Sequence, residues 1–309
     1  MGKNKRISFV AVFSLLLFIA VALFIFRPLV KKTAVEKSHP IQGRGYNRIV
    51  SMAPSITETL FALGLGDRVI GVTRFCTYPA EAIQKKNIGG FLDPNYEVIA
   101  ALIPDLVLIL PEHDTAEPFL DELDLDYKVV HNRSVTEILG TITDVGKLCD
   151  CADIAEKLVR DLHERIDAVK ARIAGCERPR VLVSIERTIG AGVIRDVYAA
   201  GNGTIYNELI LIAGGENACA GVSVPYPTLS AEGIISLNPD IIIDLVPVTG
   251  NRPIDKDSVA SDWQSLPGLS ALKYGRIHVI SEDYAFVPGP RFILLLEELS
   301  GILYTGESG

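Results

Sequence analysis

The residues able to do chemistry in this chain are scattered, and none of them forms a recognised catalytic motif. The sequence lacks the GxSxG turn of serine hydrolases, the HExxH helix of zinc proteases and the GxxxxGK[ST] phosphate loop. Residues 64–66 and 201–203 (GLG and GNG) are isolated turn glycines and not a dinucleotide-binding turn. Asp121 and Glu122 lie in a charge-rich stretch that is typical of a solvated helix face. We therefore expect a binding protein without a cofactor, and not an enzyme.

Three arginines, Arg74, Arg187 and Arg291, are candidates for contact with an anion. Several guanidinium groups close together would suit an anionic ligand, because carboxylate and catecholate oxygens accept their forked hydrogen bonds. A solvated surface position is the alternative for each of them.

Histidines and acids offer a second kind of binding chemistry. His113, His131 and His278 could converge with Glu112 or Asp283 on a bare zinc or manganese ion, since neutral imidazoles are good zinc ligands. Their spacing matches no metal motif, so no metal site is predicted. A metal-ion receptor stays open as an alternative function.

The five cysteines contain no CxxC pair. An odd number outside the cytoplasm leaves at least one thiol without a partner in its own chain. We expect packing thiols. They are Cys76, Cys149, Cys151, Cys176 and Cys219.

The elements that must position these residues alternate between strands and helices, which predicts a largely parallel, helix-covered sheet of α/β type. The predicted strands are residues 48–52, 69–73, 106–110, 128–130, 181–185, 241–245 and 277–280. Between them, apolar residues recur every three or four positions from Val145 to Ile173, which predicts one long amphipathic helix. The pattern predicts an N-terminal lobe (47–144), a linking helix (145–175) and a C-terminal lobe (176–304).

An internal repeat supports two lobes. Residues 95–110 and 230–245 are identical at six of 16 aligned positions, and each copy reads as a capped helix, a Pro-Asp turn and a buried strand. The identical pairs are Glu97/Glu232, Ile99/Ile234, Leu102/Leu237, Pro104/Pro239, Asp105/Asp240 and Leu110/Leu245.

Charge and hydropathy divide the chain into a leader and a body. The net charge is −8, but residues 1–38 hold seven Lys/Arg and one Asp/Glu, which leaves the rest at −14. Because the body is strongly acidic, nucleic acid is not expected as its partner. Residues 7–26 are apolar and would span about 30 Å as a helix, the thickness of a bilayer core. Residues 1–32 are therefore expected to be either a cleaved export signal or an uncleaved membrane anchor. No cleavage motif or lipid-accepting cysteine follows, which favours the anchor. Residues 33–46 predict a tether, and the body is expected outside the cytoplasm.

A series of short strings resembles the periplasmic-binding proteins of the iron-siderophore and cobalamin class. The strings are RIVSMAPSITE at 48–58, GVTRFCTYP at 71–79, IGGF at 88–91, PDLV at 104–107, GGEN at 214–217, VPYP at 224–227, GRIHVI at 275–280 and PGPR at 288–291. They run in the order of the family across residues 47–304, so the resemblance covers the whole body.

The resemblance implies the class III periplasmic-binding fold, in which one rigid helix joins two Rossmann-like lobes. It also implies a metal chelate, either cobalamin or a ferric siderophore, in the cleft between the lobes. Such proteins deliver the chelate to the permease subunits of an ABC importer. A tethered sensor that binds the ligand without transport is the remaining alternative.

By position, the aromatic ligand contacts of the family fall on Phe75, Phe91 and Tyr226, with Tyr284 nearby, and a polar contact falls on Asp283. Flat rings give a bulky chelate apolar contact at small cost in side-chain entropy.

Glu97 and Glu232 match the two acids, one on each lobe, with which the family docks onto arginines of the transporter. The local alternative is that each stabilises the first turn of its own helix through the helix dipole.

Overall fold

The computed structural model describes residues 45–173, 175–248 and 254–304. The predicted anchor (1–32) and nearly all of the tether (33–46) lie outside these residues. In the part of the chain that is described, no helix is both long enough and apolar enough to cross a membrane.

The N-terminal lobe is built on a sheet of five parallel strands in the order β3-β2-β1-β4-β5. The strands are β1 (Ile49–Ser51), β2 (Val69–Val72), β3 (Lys86–Asn87), β4 (Leu106–Ile109) and β5 (Tyr127–Val129). The helices of this lobe are α1 (Pro54–Ala62), α2 (Tyr96–Ala101), α3 (Glu117–Glu122) and α4 (Val135–Leu148). Strands β1 and β4 are buried along their whole length, as expected of central strands in a sheet covered on both faces.

The linking helix α5 runs from Ala152 to Arg172. The prediction of one helix from Val145 was wrong at its start, because residues up to Leu148 end helix α4. The chain leaves the helical conformation at Cys149, and Asp150 takes a left-handed conformation with φ 57°. The buried residues of α5, such as Leu162 and Ile166, join a core that includes strands from both lobes.

The C-terminal lobe contains a mixed sheet in the order β11-β10-β6-β7-β9, with β8 paired to β6. The strands are β6 (Arg180–Arg187), β7 (Asp196–Ala199), β8 (Glu216–Asn217), β9 (Thr228–Ser230), β10 (Ile241–Leu245) and β11 (Ile277–Ile280). The helices are α6 (Ile205–Ile212), α7 (Ala231–Leu237), α8 (Lys256–Ser261), α9 (Ser270–Lys273) and α10 (Phe292–Tyr304). All seven predicted strands are confirmed. The antiparallel pairs that β7 makes with β6 and β9 were not predicted.

The sequence repeat corresponds to the same structural unit in both lobes, α2–β4 and α7–β10. The side chains of Asn95 and Ser230 accept a hydrogen bond from the backbone of the first turn of their helices. Ile103 and Asn238 lie directly before the repeated proline, and both have a positive φ, 48° and 41°. A left-handed residue ends each helix there and turns the chain into the buried strand.

The repeated aspartate in each unit pairs with the start of a neighbouring strand. Asp105 accepts hydrogen bonds of 2.8 Å from the backbone N–H groups of Asn47 and Arg48. Asp240 accepts the equivalent bond, also 2.8 Å, from the backbone N–H of Arg180. The Pro-Asp part of the repeat is therefore explained by local structure.

Candidate ligand-binding cleft

A cavity of about 820 Å³ lies between the two lobes. On the N-terminal side it is lined by segments that follow strands β1 to β5, at the carboxyl edge of the parallel sheet, where ligands of α/β proteins bind. The lining residues of this lobe are Ala53, Pro54, Ser55, Phe75, Phe91, Leu110, Glu112, Asn132 and Arg133. Those of the other lobe are Gly203, Thr204, Ile205, Val224, Pro225, Tyr226, Phe286, Val287 and Pro288.

A helix-starting proline and several hydrogen bonds hold the segments that line the cleft in place. Helix α1 starts at Pro54, whose ring presets the backbone angle of a first helical residue. Ser55 accepts a hydrogen bond of 2.9 Å from the side-chain amide of Asn132, so two lining segments are tied together. In the other lobe the N–H of Gly201 donates to the carbonyl of Pro225 at 2.7 Å. A side chain at Gly201 would collide with the carbonyl of Val224, and glycine therefore allows the Tyr226 segment to lie against it.

Three of the predicted aromatic residues line this cavity, Phe75 and Phe91 from one lobe and Tyr226 from the other. Phe75 and Tyr226 are 54% and 52% exposed, so their rings are open to a ligand. Burial raises the pKa of the Tyr226 hydroxyl, so it stays protonated at neutral pH. Their role as ligand contacts stays a prediction.

Tyr284 and Asp283 lie outside the lining of this cavity. Tyr284 donates to Glu298 at 2.8 Å and lines a smaller cavity of about 130 Å³, which shares a wall with the larger one at Tyr226 and Phe286. Asp283 accepts a hydrogen bond of 2.8 Å from Arg291.

Arg291 connects the two lobes. Its guanidinium donates to both carboxylate oxygens of Glu58 in helix α1, at 3.0 and 2.5 Å, and it also binds Asp283. It lies over the ring of Tyr78 at 3.7 Å from the centroid. Glu58 is only 3% exposed. Arg291 therefore joins the lobes beside the cleft and is not among the lining residues.

Arg187, which was predicted to contact a ligand, is held by partners within its own lobe. Its side chain is 2% exposed, and its guanidinium forms ion pairs of 2.7 Å with Asp244 and Asp262. The remaining donors bind the carbonyls of Thr188 and Val259, so all five N–H groups are used. No donor is left for an anion.

Arg74 is also paired. It forms a bidentate ion pair with Asp93, and its guanidinium carbon is 5.5 Å from the centroid of the Phe75 ring. It does not line the cavity.

The charged residues that do line the cavity are Glu112 and Arg133, and sequence reasoning did not propose either as a chelate contact. They form an ion pair at 2.8 Å. Burial alone would raise the pKa of Glu112, but the hydrogen bond from Arg133 holds it below its usual value. Both residues follow predicted strands at the carboxyl edge of the sheet, and that position is the signal that could have identified them.

The histidines among the described residues do not form a metal site. His113 is buried, and its Nδ1 accepts a hydrogen bond of 3.0 Å from the backbone N–H of Leu110. Its Nε2 has no hydrogen-bond partner among the described residues. Nor do those residues contain any group of three or more His, Cys, Asp or Glu side chains that could hold a metal ion.

All five cysteines have free thiols, and three of them are buried. Burial raises the pKa of Cys149 to about 12 and that of Cys219 to about 11, so these thiols are unreactive at neutral pH.

Glu97 and Glu232 are both exposed in the first turns of helices α2 and α7. Hydrogen bonds from its own backbone and from Ser230 lower the pKa of Glu232. The side chain therefore has a local role in its helix, which does not exclude it from a contact with another protein.

Comparison with known proteins identifies the family to which this architecture belongs. A family described as periplasmic binding protein matches residues 49–284, which is most of the described chain. The chain belongs to this family of periplasmic binding proteins. It is 24% identical to a vitamin B12-binding protein from Vibrio parahaemolyticus over 89% of this chain and 94% of the relative. It is 28% identical to an uncharacterized ABC transporter substrate-binding lipoprotein from Bacillus subtilis, over 83% of this chain and 80% of the relative.

Among solved structures, this periplasmic binding protein resembles a possible iron-binding, periplasmic solute-binding protein from Staphylococcus epidermidis. The TM-score is 0.71 at 25% identity, over 84% of this chain and all of that one. The predicted α/β fold of this family is thereby confirmed. The relatives are named as binding proteins rather than enzymes.

Proposed function

We propose that this chain is the substrate-binding component of an ABC importer, which captures a metal chelate, either a corrinoid such as cobalamin or a ferric siderophore, and delivers it to the permease subunits. The observation that carries the proposal is the cleft of about 820 Å³, with aromatic rings from both lobes. Its size and its largely apolar lining suit a bulky ligand. A bare ion would instead need converging ligands, and the described residues provide no such group.

The second part of the proposal concerns where in the cell the protein works. Members of this family work outside the cytoplasm, and one relative is named as a lipoprotein. The apolar run at residues 7–26 would hold this chain at the membrane as a helix of about 30 Å. A tethered receptor stays close to its importer, which raises its effective concentration there.

Isothermal titration calorimetry of the full-length chain in mild detergent tests the proposal. The titrants are cyanocobalamin, a ferric trihydroxamate and zinc sulfate. We expect one of the two chelates to bind in a 1:1 complex. Tyr226→Ala should weaken that complex about tenfold, because a central aromatic contact is lost.

Tyr198→Ala is the matched control, since Tyr198 has nearly the same exposed fraction as Tyr226, 50% against 52%, but lines neither cavity. Its affinity should equal that of the unchanged chain. Tight binding of zinc without heat from either chelate would refute the proposal.

A further inference from the structure

Each of the three arginines predicted to contact an anion already has a carboxylate partner within the chain. Arg74 is paired with Asp93, Arg187 with Asp244 and Asp262, and Arg291 with Glu58 and Asp283. None of these guanidinium groups is free to neutralise an anionic ligand. Within the described residues, Glu112 and Arg133 are the only charged side chains in the cavity lining, and their charges cancel.

The pair lies at one edge of an otherwise mainly apolar cavity. Nε and Nη2 of Arg133 both donate to one oxygen of Glu112, Oε1, at 3.3 and 2.8 Å. Nη1 of Arg133 donates to no described residue. The backbone N–H of Arg133 donates to Glu137 at 2.7 Å, so a second carboxylate lies close by. Both members of the pair line the cavity together with Tyr226, which belongs to the other lobe. The pair thus faces the ligand space.

The Glu112–Arg133 pair should bind some chemical groups on the edge of a chelate better than others. A carboxylate or catecholate would be attracted to Arg133 but repelled by Glu112, and would have to displace it. A primary amide has both a donor and an acceptor. It can accept from Nη1 of Arg133 while it donates to Glu112, and the ion pair stays intact. Like-charge contacts at an interface are a common means of rejecting a wrong ligand.

We propose that Glu112 is a specificity-determining residue, which makes the cleft select chelates with an uncharged, amide-bearing edge over chelates with an anionic edge. This inference rests on the proposed function and narrows its ligand class. Glu112 acts by pairing with Arg133, the one cation in the described part of the lining, so the cleft offers an anion no net attraction.

The test compares two ligands that differ at a single group, cyanocobalamin and its peripheral monocarboxylic acid, in which one amide is hydrolysed. Ferric trihydroxamate, which is neutral, and ferric tricatecholate, which is anionic, form a second pair. Calorimetry on the full-length chain gives the ratio of Kd for the anionic ligand to Kd for the neutral ligand. We expect a ratio of about ten or more in the unchanged chain, and a fall of about tenfold in Glu112→Gln.

Two further variants complete the cycle. Arg133→Gln leaves Glu112 unpaired and should raise the ratio, while Glu112→Gln combined with Arg133→Gln should bring it back to within about threefold of the unchanged chain. Asp114→Asn is the matched control. Asp114 is exposed two residues away and does not line the cavity, so its loss should leave the ratio unchanged.

The outcomes separate the two proposals. If no chelate of either pair binds, the proposed function fails, and this inference falls with it. If chelates bind but the unchanged chain shows no preference for the neutral ligand, the inference alone is overturned. A ratio that Glu112→Gln and Asp114→Asn alter equally would also overturn it, because the effect would then be that of net charge. A fall confined to Glu112→Gln supports it.

Discussion

At the scale of single residues, what a polar group can bind depends on the hydrogen-bond partners that it already has within the chain. Arg187 is a clear case, because burial requires every one of its donors to be satisfied, and two buried aspartates and two carbonyls satisfy them. Trp263 joins the same cluster through its indole N–H, which donates to Asp244 at 2.9 Å. This cluster fixes the end of strand β6, and none of the Arg187 donors is left for a ligand.

His113 leads to a prediction about pH. Its Nδ1 accepts a hydrogen bond from the N–H of Leu110, and burial lowers its pKa below the usual 6.5. A base with a lowered pKa in the folded state stabilises the fold above its unfolded pKa, and that contribution is lost as the pH falls. We expect the free energy of unfolding to decrease from pH 7 to pH 5, measured by urea denaturation.

His113→Gln should make this decrease smaller, because glutamine can accept the same backbone hydrogen bond and does not titrate. His131→Gln serves as the control, since His131 is exposed on the same lobe. If both variants keep the full pH dependence of the unchanged chain, His113 is not its source.

The candidate site could be predicted from the sequence only in part, and the reason lies in the kind of residue. Phe75, Phe91 and Tyr226 reach the cavity as expected, because their loops follow from the order of the elements. The arginines did not behave as expected. A guanidinium is long and flexible, and the residue that neutralises it, such as Asp244 for Arg187, comes from a distant part of the chain. Sequence spacing does not reveal such partners.

At the scale of elements, one ion pair joins the two lobes beside the cleft. Glu58 belongs to helix α1, which begins at the cleft wall with Pro54, and Arg291 follows the wall segment 286–288 of the other lobe. The backbone N–H of Val135, at the start of helix α4, also reaches across and donates to Glu208 of helix α6 at 2.7 Å. These contacts connect the two walls of the cleft directly.

Arg291→Met should destabilise the protein strongly. The change leaves the Glu58 carboxylate buried at 3% exposure without a cation, a loss that typically costs about 3–5 kcal/mol. Arg165→Met removes an ion pair that is about 40% exposed on both sides, and it should cost less than about 1 kcal/mol. Urea denaturation measures both. Combining Arg291→Met with Glu58→Gln should recover part of the loss. Equal costs for the two single variants would contradict this account.

The boundary between helices α4 and α5 shows what periodicity cannot detect. Apolar residues keep the same spacing across the break, so the pattern continues although the helix does not. The left-handed Asp150 makes the turn. A side chain at Gly146 would overlap the Cβ of Ala155, so the two helices cross at very close range there. The sequence contains the glycine, but only the packing shows that it allows this contact.

At the scale of the whole molecule, the two lobes repeat one unit on either side of the cleft, and the order of strands and helices was sufficient to predict it. The antiparallel pairing of β7 with β6 and β9 could not be predicted in this way. It depends on the course of the connecting loops, which the local sequence pattern does not determine. The structure explains some of the identical residues of the repeat by local contacts and leaves one pair without such an explanation. Asp105 and Asp240 bind backbone groups, and Pro104 and Pro239 follow left-handed residues. Glu97 and Glu232 remain exposed on both copies.

This symmetry leads to the last prediction. Local structure needs an acid in each first turn only weakly, since solvent screens the interaction of an exposed carboxylate with the helix dipole. One exposed carboxylate on each lobe would instead let arginines of an importer contact both lobes together. Replacing Glu97 and Glu232 together with Gln should leave chelate affinity within about twofold and reduce uptake of labelled chelate at least tenfold in cells that carry the importer. Replacing Glu156 and Glu164, exposed acids of helix α5, with Gln removes the same charge and should leave uptake unchanged. Normal uptake by the Glu97 and Glu232 double variant, with binding intact, would assign these carboxylates to their helices alone.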